Sequence, residues 1–354
     1  MRAVRAAAGL CLLLAFVACG PVGQVGPVGS TPSTTSTPST SPTGSFVQSP
    51  NPTPPQVRAG APAWVAVSVA TLWRSPSSPR AVDTPALANP ALIRQWLASL
   101  NVADQTGLVD RADSQMLLGE RVLVLSLRGT WAQIVVPDQA TPLDPRGYPG
   151  WVPIGQLSAI APPSTQNVAT VVDSTAWLLQ GGLEAIEVSF GTRLPVTGTE
   201  GSIAHLGLPG GRVLDVALSA VVITSPDAYA RPAAAAAVIA SARQFLGVRY
   251  LWAGTAGYGF DCSGLMYDVF KVHGVLLPRD AQDQAVVGRA VARAALQPGD
   301  LVFLASGGVV HHVALYVGSG MLLDSPDIGK PVQIVSIGAQ PYASEFSGAR
   351  RVLP

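Results

Sequence analysis

The chain has 354 residues, 48% of them hydrophobic and only 12% charged, with 36 Gly, 31 Pro and a formal net charge of +1. With 22 Lys and Arg against 21 Asp and Glu, it lacks the basic excess needed to displace counterions from a nucleic-acid backbone, so nucleic acid is excluded as the main partner. Mean hydropathy is +0.35, yet no apolar run reaches the roughly 18 residues that span a bilayer, and the length allows two or three domains.

The first element in chain order is an export signal over residues 1–19. Arg2 and Arg5 form a positive start, the apolar run 6–18 follows, and small Ala18 precedes Cys19. A Cys directly after such a run resembles the bacterial lipobox, although Phe16 stands where that pattern has Leu. The resemblance implies lipidation of Cys19 and an exported protein anchored to the outer face of the cytoplasmic membrane; plain cleavage near Ala18 is the alternative. Residues 20–61 are mostly Pro, Ser, Thr and Gly, with no acidic residue before Asp83. Such a segment buries too little apolar surface to offset its ordering entropy. It is a tether, and at roughly 3 Å per residue it extends on the order of 100 Å.

Short strands follow. WVAVSVATLW (64–73), GERVLVLSL (119–127), TWAQIVV (130–136) and GYPGWVP (147–153) carry the β-branched and aromatic enrichment of strands. Between the first two, NPALIRQWLASL (89–100) sets Leu92, Ile93, Trp96, Leu97 and Leu100 at helical spacing. A weaker copy comes next, TAWLL (175–179) echoing TLWR and GTRLPV (191–196) echoing GERVLV. The pattern resembles the bacterial SH3-like domains that accompany wall peptidases, here two in tandem over 62–160, with a helical insertion, and 161–228.

Composition changes at Arg231, where a run of five alanines opens a helix expected over 233–246 and ended by Gly247. The last domain is assigned to 229–354. Its central segment is RYLWAGTAGYGFDCSGLMYDVF (249–270), in which Leu265, Met266, Val269 and Phe270 form one helical stripe. Cys262 therefore sits in the first helical turn, where unpaired N–H groups and the macrodipole favour a thiolate. Cys11 and Cys19 belong to the signal, so Cys262 is the lone thiol of the globular part and a candidate nucleophile.

A base is sought among four histidines. His205 falls in the second β module, and His273 follows the helix in a KVHG turn, read as solvated. His311 and His312 open the apolar strand HHVALYVG (311–318), preceded by GDLVFLA (299–305) and followed by MLLDSP (321–326) and PVQIVSI (331–337). A helix packed on an antiparallel sheet follows from this order, an α+β fold. With the nucleophile on the helix and the base on a strand, it resembles the papain-type arrangement.

DCSGL, LPRDAQDQ (277–284), LQPGDLVFL (296–304) and HHVALYVG, in that order, are similar to the NlpC-type papain-like cysteine peptidases of bacterial cell walls. With the SH3-like region, the chain most resembles their γ-D-glutamyl-L-diamino acid endopeptidases. The resemblance implies Cys262 as nucleophile and His312 as general base. It puts the third polar residue at Asp324, where relatives hold His, and makes Tyr250 of the Tyr-x-Trp-Gly-Gly-like YLWAG segment a contributor to oxyanion binding. Ala253 replaces the first Gly of that motif, and Ala314 the usual Gly after His-Val. Asp261, Ser263, Trp252, Arg279, Asp280, His311 and Tyr148 are the implied substrate-binding positions, on peptidoglycan peptides with a free N-terminal L-Ala. No cofactor or metal is expected, since no His/Cys/Asp cluster has ligand spacing. The competing readings are a remodelling endopeptidase on intact wall, an amidase or acyltransferase of the same fold, and a non-catalytic wall-binding lipoprotein.

Overall fold

The structure, a computed structural model, describes residues 56–354. The export signal, most of the tether, Cys11 and Cys19 lie outside the described residues. Two antiparallel sheets of seven strands come first, one between Pro62–Val65 and Leu157–Ser158, the other between Val168–Val171 and Val221–Thr224. Counted from its own first strand, each sheet has the order 3-2-6-5-4-1-7. The faint sequence echo has a structural counterpart in this order. Thr175–Gln180 and Arg193–Glu200 are the second and fourth strands in sequence of the later sheet, as Val69–Trp73 and Arg121–Arg128 are of the earlier one.

Three local expectations are corrected. The run 64–73 is two strands, Pro62–Val65 and Val69–Trp73, because the chain bends at Val67 and Ser68 to pass from one end of the sheet order to the other. The second of them is buried along its whole length, while the first alternates, burying Ala63 and Val65. A strand at Ala112–Leu117 was not expected, since ADSQML carries no strand signature; its Ser114 and Gln115 are buried in hydrogen bonds to other segments. His273 is buried rather than solvated. Its Nδ1 lies 2.6 Å from the Pro232 carbonyl and its Nε2 3.0 Å from Ser241 Oγ, tying the helix Ala235–Arg243 to the helix Cys262–Val272. Burial pushes its pKa below the usual histidine value.

The C-terminal part is the papain-like arrangement, with the helix Cys262–Val272 lying on a six-stranded antiparallel sheet. The sheet order is Arg289–Val291, Phe346–Arg351, Leu301–Ser306, Val309–Gly318, Met321–Asp324, Gln333–Ser336. Alternation along the strands sends Leu301, Phe303, Val313, Leu315 and Leu323 to the helix, packed against Leu265, Met266, Val269 and Phe270. Val302, Leu304, Ala314 and Leu322 point to the other face, under Tyr342.

The three parts share their interiors. Trp73, Trp96 and Leu108 of the first β module pack in one cluster with Leu251, Ala253 and Tyr258. Phe190 of the second module enters the core of the helix and sheet, edge-on to Phe245 at 5.3 Å between ring centroids. The helical insertion is shorter than expected, Ile93–Ser99, but buries the expected Ile93, Trp96 and Leu97.

Candidate active site

Asp261 caps the helix that carries Cys262. Its backbone is extended, and its Oδ1 accepts from the Gly264 N–H at 2.6 Å. Gly264 is required by packing, since a Cβ there would lie 2.0 Å from the Gly254 carbonyl oxygen of the preceding loop. That loop also holds Ala253 at φ 67°, a left-handed conformation costing a non-glycine residue roughly 1–2 kcal/mol. A motif glycine is thus replaced at some cost in strain, while the turn itself is kept.

Cys262 is a free thiol, 7% exposed, at the helix N-terminus. The imidazole of His312, equally buried, stands beside it and donates from Nε2 to Asp324 Oδ1 at 2.7 Å. Burial alone would keep the imidazole neutral, but the negative charges at Cys262 and Asp324 outweigh it and hold His312 well above the ordinary histidine range. A thiol, an imidazole and a buried carboxylate thus stand in line, the order of groups that nucleophilic catalysis by a cysteine requires. Asp324 has no solvent exposure, and its other oxygen accepts from the Tyr342 hydroxyl.

A cavity of about 370 Å³ opens in front of the thiol. Tyr250, Trp252, Asp261, Ser263, Asp280 and His311 line it from the C-terminal part, and Tyr148 from the first β module. The Tyr148 hydroxyl donates to Asp280 Oδ2 at 2.9 Å, so the two parts jointly form one wall. Burial pushes the Asp280 carboxyl above its usual value despite the neighbouring Arg279 and Tyr148, which pull it down. Tyr250 is buried and its hydroxyl is held well above the usual tyrosine range, by burial first and by the charges at Cys262 and Asp261 next.

Arg279 lies behind the wall. It is 1% exposed, and its guanidinium pairs with Asp261 at 2.6 Å and donates to Ser114 Oγ at 2.9 Å and Ser263 Oγ at 3.0 Å. Breaking a buried pair of this kind typically costs about 3–5 kcal/mol. Asp261 and Ser263 therefore join the wall to the first module through Arg279. Trp252 also reaches the first module, its indole N–H donating to the Ala112 carbonyl at 2.8 Å. His311 is exposed and its Nε2 lies 3.1 Å from Glu345 Oε2.

The structure brings in residues that sequence reading passed over. Arg74, Asp113 and Leu143 of the first module also line the cavity, with Arg74 bridging Asp113 at 2.7 Å and Asp110 at 2.6 Å. Nothing local marks them, because each meets the Cys262 region from more than a hundred residues away in the chain. Tyr342 could have been noticed only by asking what satisfies a buried Asp324.

Residues 247–351 match the sequence model of the NlpC/P60 family. The γ-D-glutamyl-L-lysine dipeptidyl-peptidase of Bacillus cereus is 36% identical over 303 residues, covering 82% of this chain and 91% of the relative. The enzyme of the same name from Bacillus subtilis is 37% identical over 290 residues, covering 80% of this chain and 96% of the relative. A crystal structure of an NlpC/P60 family protein from Bacillus cereus superposes with a TM-score of 0.79 at 35% identity, covering 83% of this chain and 100% of that one.

Proposed function

The chain belongs to the NlpC/P60 family, and from this premise we propose that it hydrolyses the amide bond between γ-D-glutamate and the diamino acid of peptidoglycan stem peptides. It is a cysteine peptidase of that family. The observation that carries the reading is the Cys262–His312–Asp324 constellation, whose Cys262 lines a cavity shared with the paired Tyr148 and Asp280. Relatives that match over nearly their whole length bear the name of a peptidase that removes dipeptides.

The chemistry follows from the geometry. The Cys262 thiolate attacks the γ-carbonyl carbon, and the resulting oxyanion is met by the Cys262 backbone N–H and the Tyr250 hydroxyl. His312 passes its proton to the departing diamino-acid nitrogen as the C–N bond breaks, leaving a thioester. Water then attacks the thioester while His312 takes its proton, and the dipeptide acid leaves with the thiolate restored. In this reading the Tyr148–Asp280 wall closes the cavity beyond two residues before the scissile bond, and the peptide accepted begins with a free L-Ala. Asp280 and the Tyr148 hydroxyl meet its ammonium.

The two β modules are in this reading a tandem of SH3-like domains at 62–160 and 161–228, supported by their common strand order. Export and lipid anchoring are supported by Arg2, Arg5, the apolar run and Cys19. Cys19→Ala should then move the protein from the detergent to the aqueous phase on temperature-induced phase separation; an unchanged partition would remove the anchor.

The test of the activity is digestion of L-Ala-γ-D-Glu-L-Lys and its diaminopimelate counterpart with the mature protein, weighing the products. Release of L-Ala-γ-D-Glu is expected, and an intact peptide after long incubation would overturn the proposal. Asp324→Ala should lower kcat by on the order of 10²-fold with KM little changed. It should also move the alkaline limb of the rate profile to lower pH, because His312 loses a charge that raises its pKa. Asp324→His should restore much of the rate. An unchanged kcat in the alanine variant would assign Asp324 to the strand end alone.

A further inference from the structure

Asp324 has more acceptor capacity than one imidazole can satisfy. It is fully buried, and a carboxylate without solvent needs donors for both oxygens. One oxygen accepts from His312 Nε2 at 2.7 Å, and the other accepts from the hydroxyl of Tyr342. Tyr342 opens the short helix Tyr342–Glu345 and is 6% exposed, packed with Val302, Leu304, Ala314 and Leu322 on the sheet face away from the Cys262 helix. Its ring stands edge-on to His312 with centroids 6.4 Å apart. We propose that Tyr342 is a positioning residue of the peptidase, whose hydroxyl holds one Asp324 oxygen and so fixes which carboxylate oxygen faces His312, extending the Cys–His–Asp constellation to a fourth member.

The Tyr342 hydroxyl cannot give up its proton in the working range. Burial and the Asp324 charge push the Tyr342 pKa above its ordinary value, so the group remains a proton donor throughout the working range and Asp324 must accept. With Oδ2 held, Oδ1 is left for His312 Nε2–H. That fixes the imidazole with Nε2 protonated and its other nitrogen available to the thiol. A neutral third residue such as histidine would need no such donor, and the pairing of this tyrosine with this aspartate is a coherent substitute. The remaining ionisable pair nearby, His311 with Glu345, is exposed and screened.

The proposal rests on the peptidase reading, and its test separates the two. Tyr342→Phe should lower kcat on the tripeptide about ten-fold with KM within about two-fold, since an Asp324 carboxylate free to turn no longer holds the His312 imidazolium in its working orientation. The rate of Cys262 alkylation by iodoacetamide, followed by mass spectrometry of the peptide containing it, should keep its form while its acid limb moves to higher pH. That readout needs no peptide substrate, so it stands or falls apart from the substrate assignment. Tyr342→Phe in the Asp324→Ala background leaves no carboxylate unsatisfied, keeps a foldable variant available, and should change neither kcat nor the alkylation profile by more than about two-fold. An alkylation profile in Tyr342→Phe that overlays the parent, or an equal loss of rate with and without Asp324, would overturn the proposal.

Discussion

Cys262→Ser should abolish hydrolysis, with kcat falling on the order of 10⁴-fold or more, while thermal stability changes little because the smaller hydroxyl fits the same place at the edge of the cavity. The size of the loss comes from the pairing with His312. His312, held well above its ordinary pKa, gives the attacking sulfur a cationic partner at a helix N-terminus. A serine hydroxyl in the same place loses its proton far less readily, and a His–Asp pair tuned to hold a charge beside a thiolate is a poor base for it. Iodoacetamide should correspondingly inactivate the parent enzyme with one alkylation in the described residues, at Cys262. Progress curves on the tripeptide together with intact-mass analysis read both outcomes. Full activity in the serine variant would place the hydrolysis at some other group and end the peptidase mechanism.

N-acetylation of the L-Ala amine should lower kcat/KM by on the order of 10²-fold or more, and peptides still joined to muramic acid should behave likewise. The blocked amine loses its charge-assisted contact and adds bulk where Tyr148 and Asp280 close the cavity, joined at 2.9 Å. Asp280→Asn should shrink the gap between free and acetylated peptide, by weakening the free one. The pH dependence has a defined sign. The Asp280 carboxyl is raised by burial, so as pH falls it becomes neutral sooner than an ordinary carboxylate, and KM for the free-amine peptide should begin to rise at correspondingly higher pH. Equal kcat/KM on free tripeptide and on intact sacculi would recast the chain as a remodelling endopeptidase and its β modules as wall anchors.

What could be read from the sequence was whatever the chemistry writes locally. Asp261 and Cys262 announce a capped helix, and a stripe of Leu265, Met266, Val269 and Phe270 gives its buried face. His312 and Asp324, 12 residues apart on neighbouring strands, meet at 2.7 Å where the family pattern puts them. The strand Ala112–Leu117 stayed hidden because its polar Ser114 and Gln115 are buried by partners far along the chain, Arg279 and Thr255. Arg279 entered as a substrate-binding position through the family resemblance alone, and nothing in its local sequence shows its burial behind Asp261, 18 residues away. His273 read as solvated because the turn is local, and the carbonyl of Pro232 that holds it is 41 residues away.

Shared interiors also bear on how such a chain can evolve. A β module joined to an enzyme by a linker can be exchanged like a cassette, since each partner keeps its own core. Here Trp73 and Trp96 lie in one cluster with Leu251 and Tyr258, and Phe190 is lodged among Phe245 and Phe260. Moving either module elsewhere would strip aromatic surface from both donor and remainder. The two copies that began with one strand order are therefore held to their neighbour, and change in one must be answered by change in the enzyme it touches.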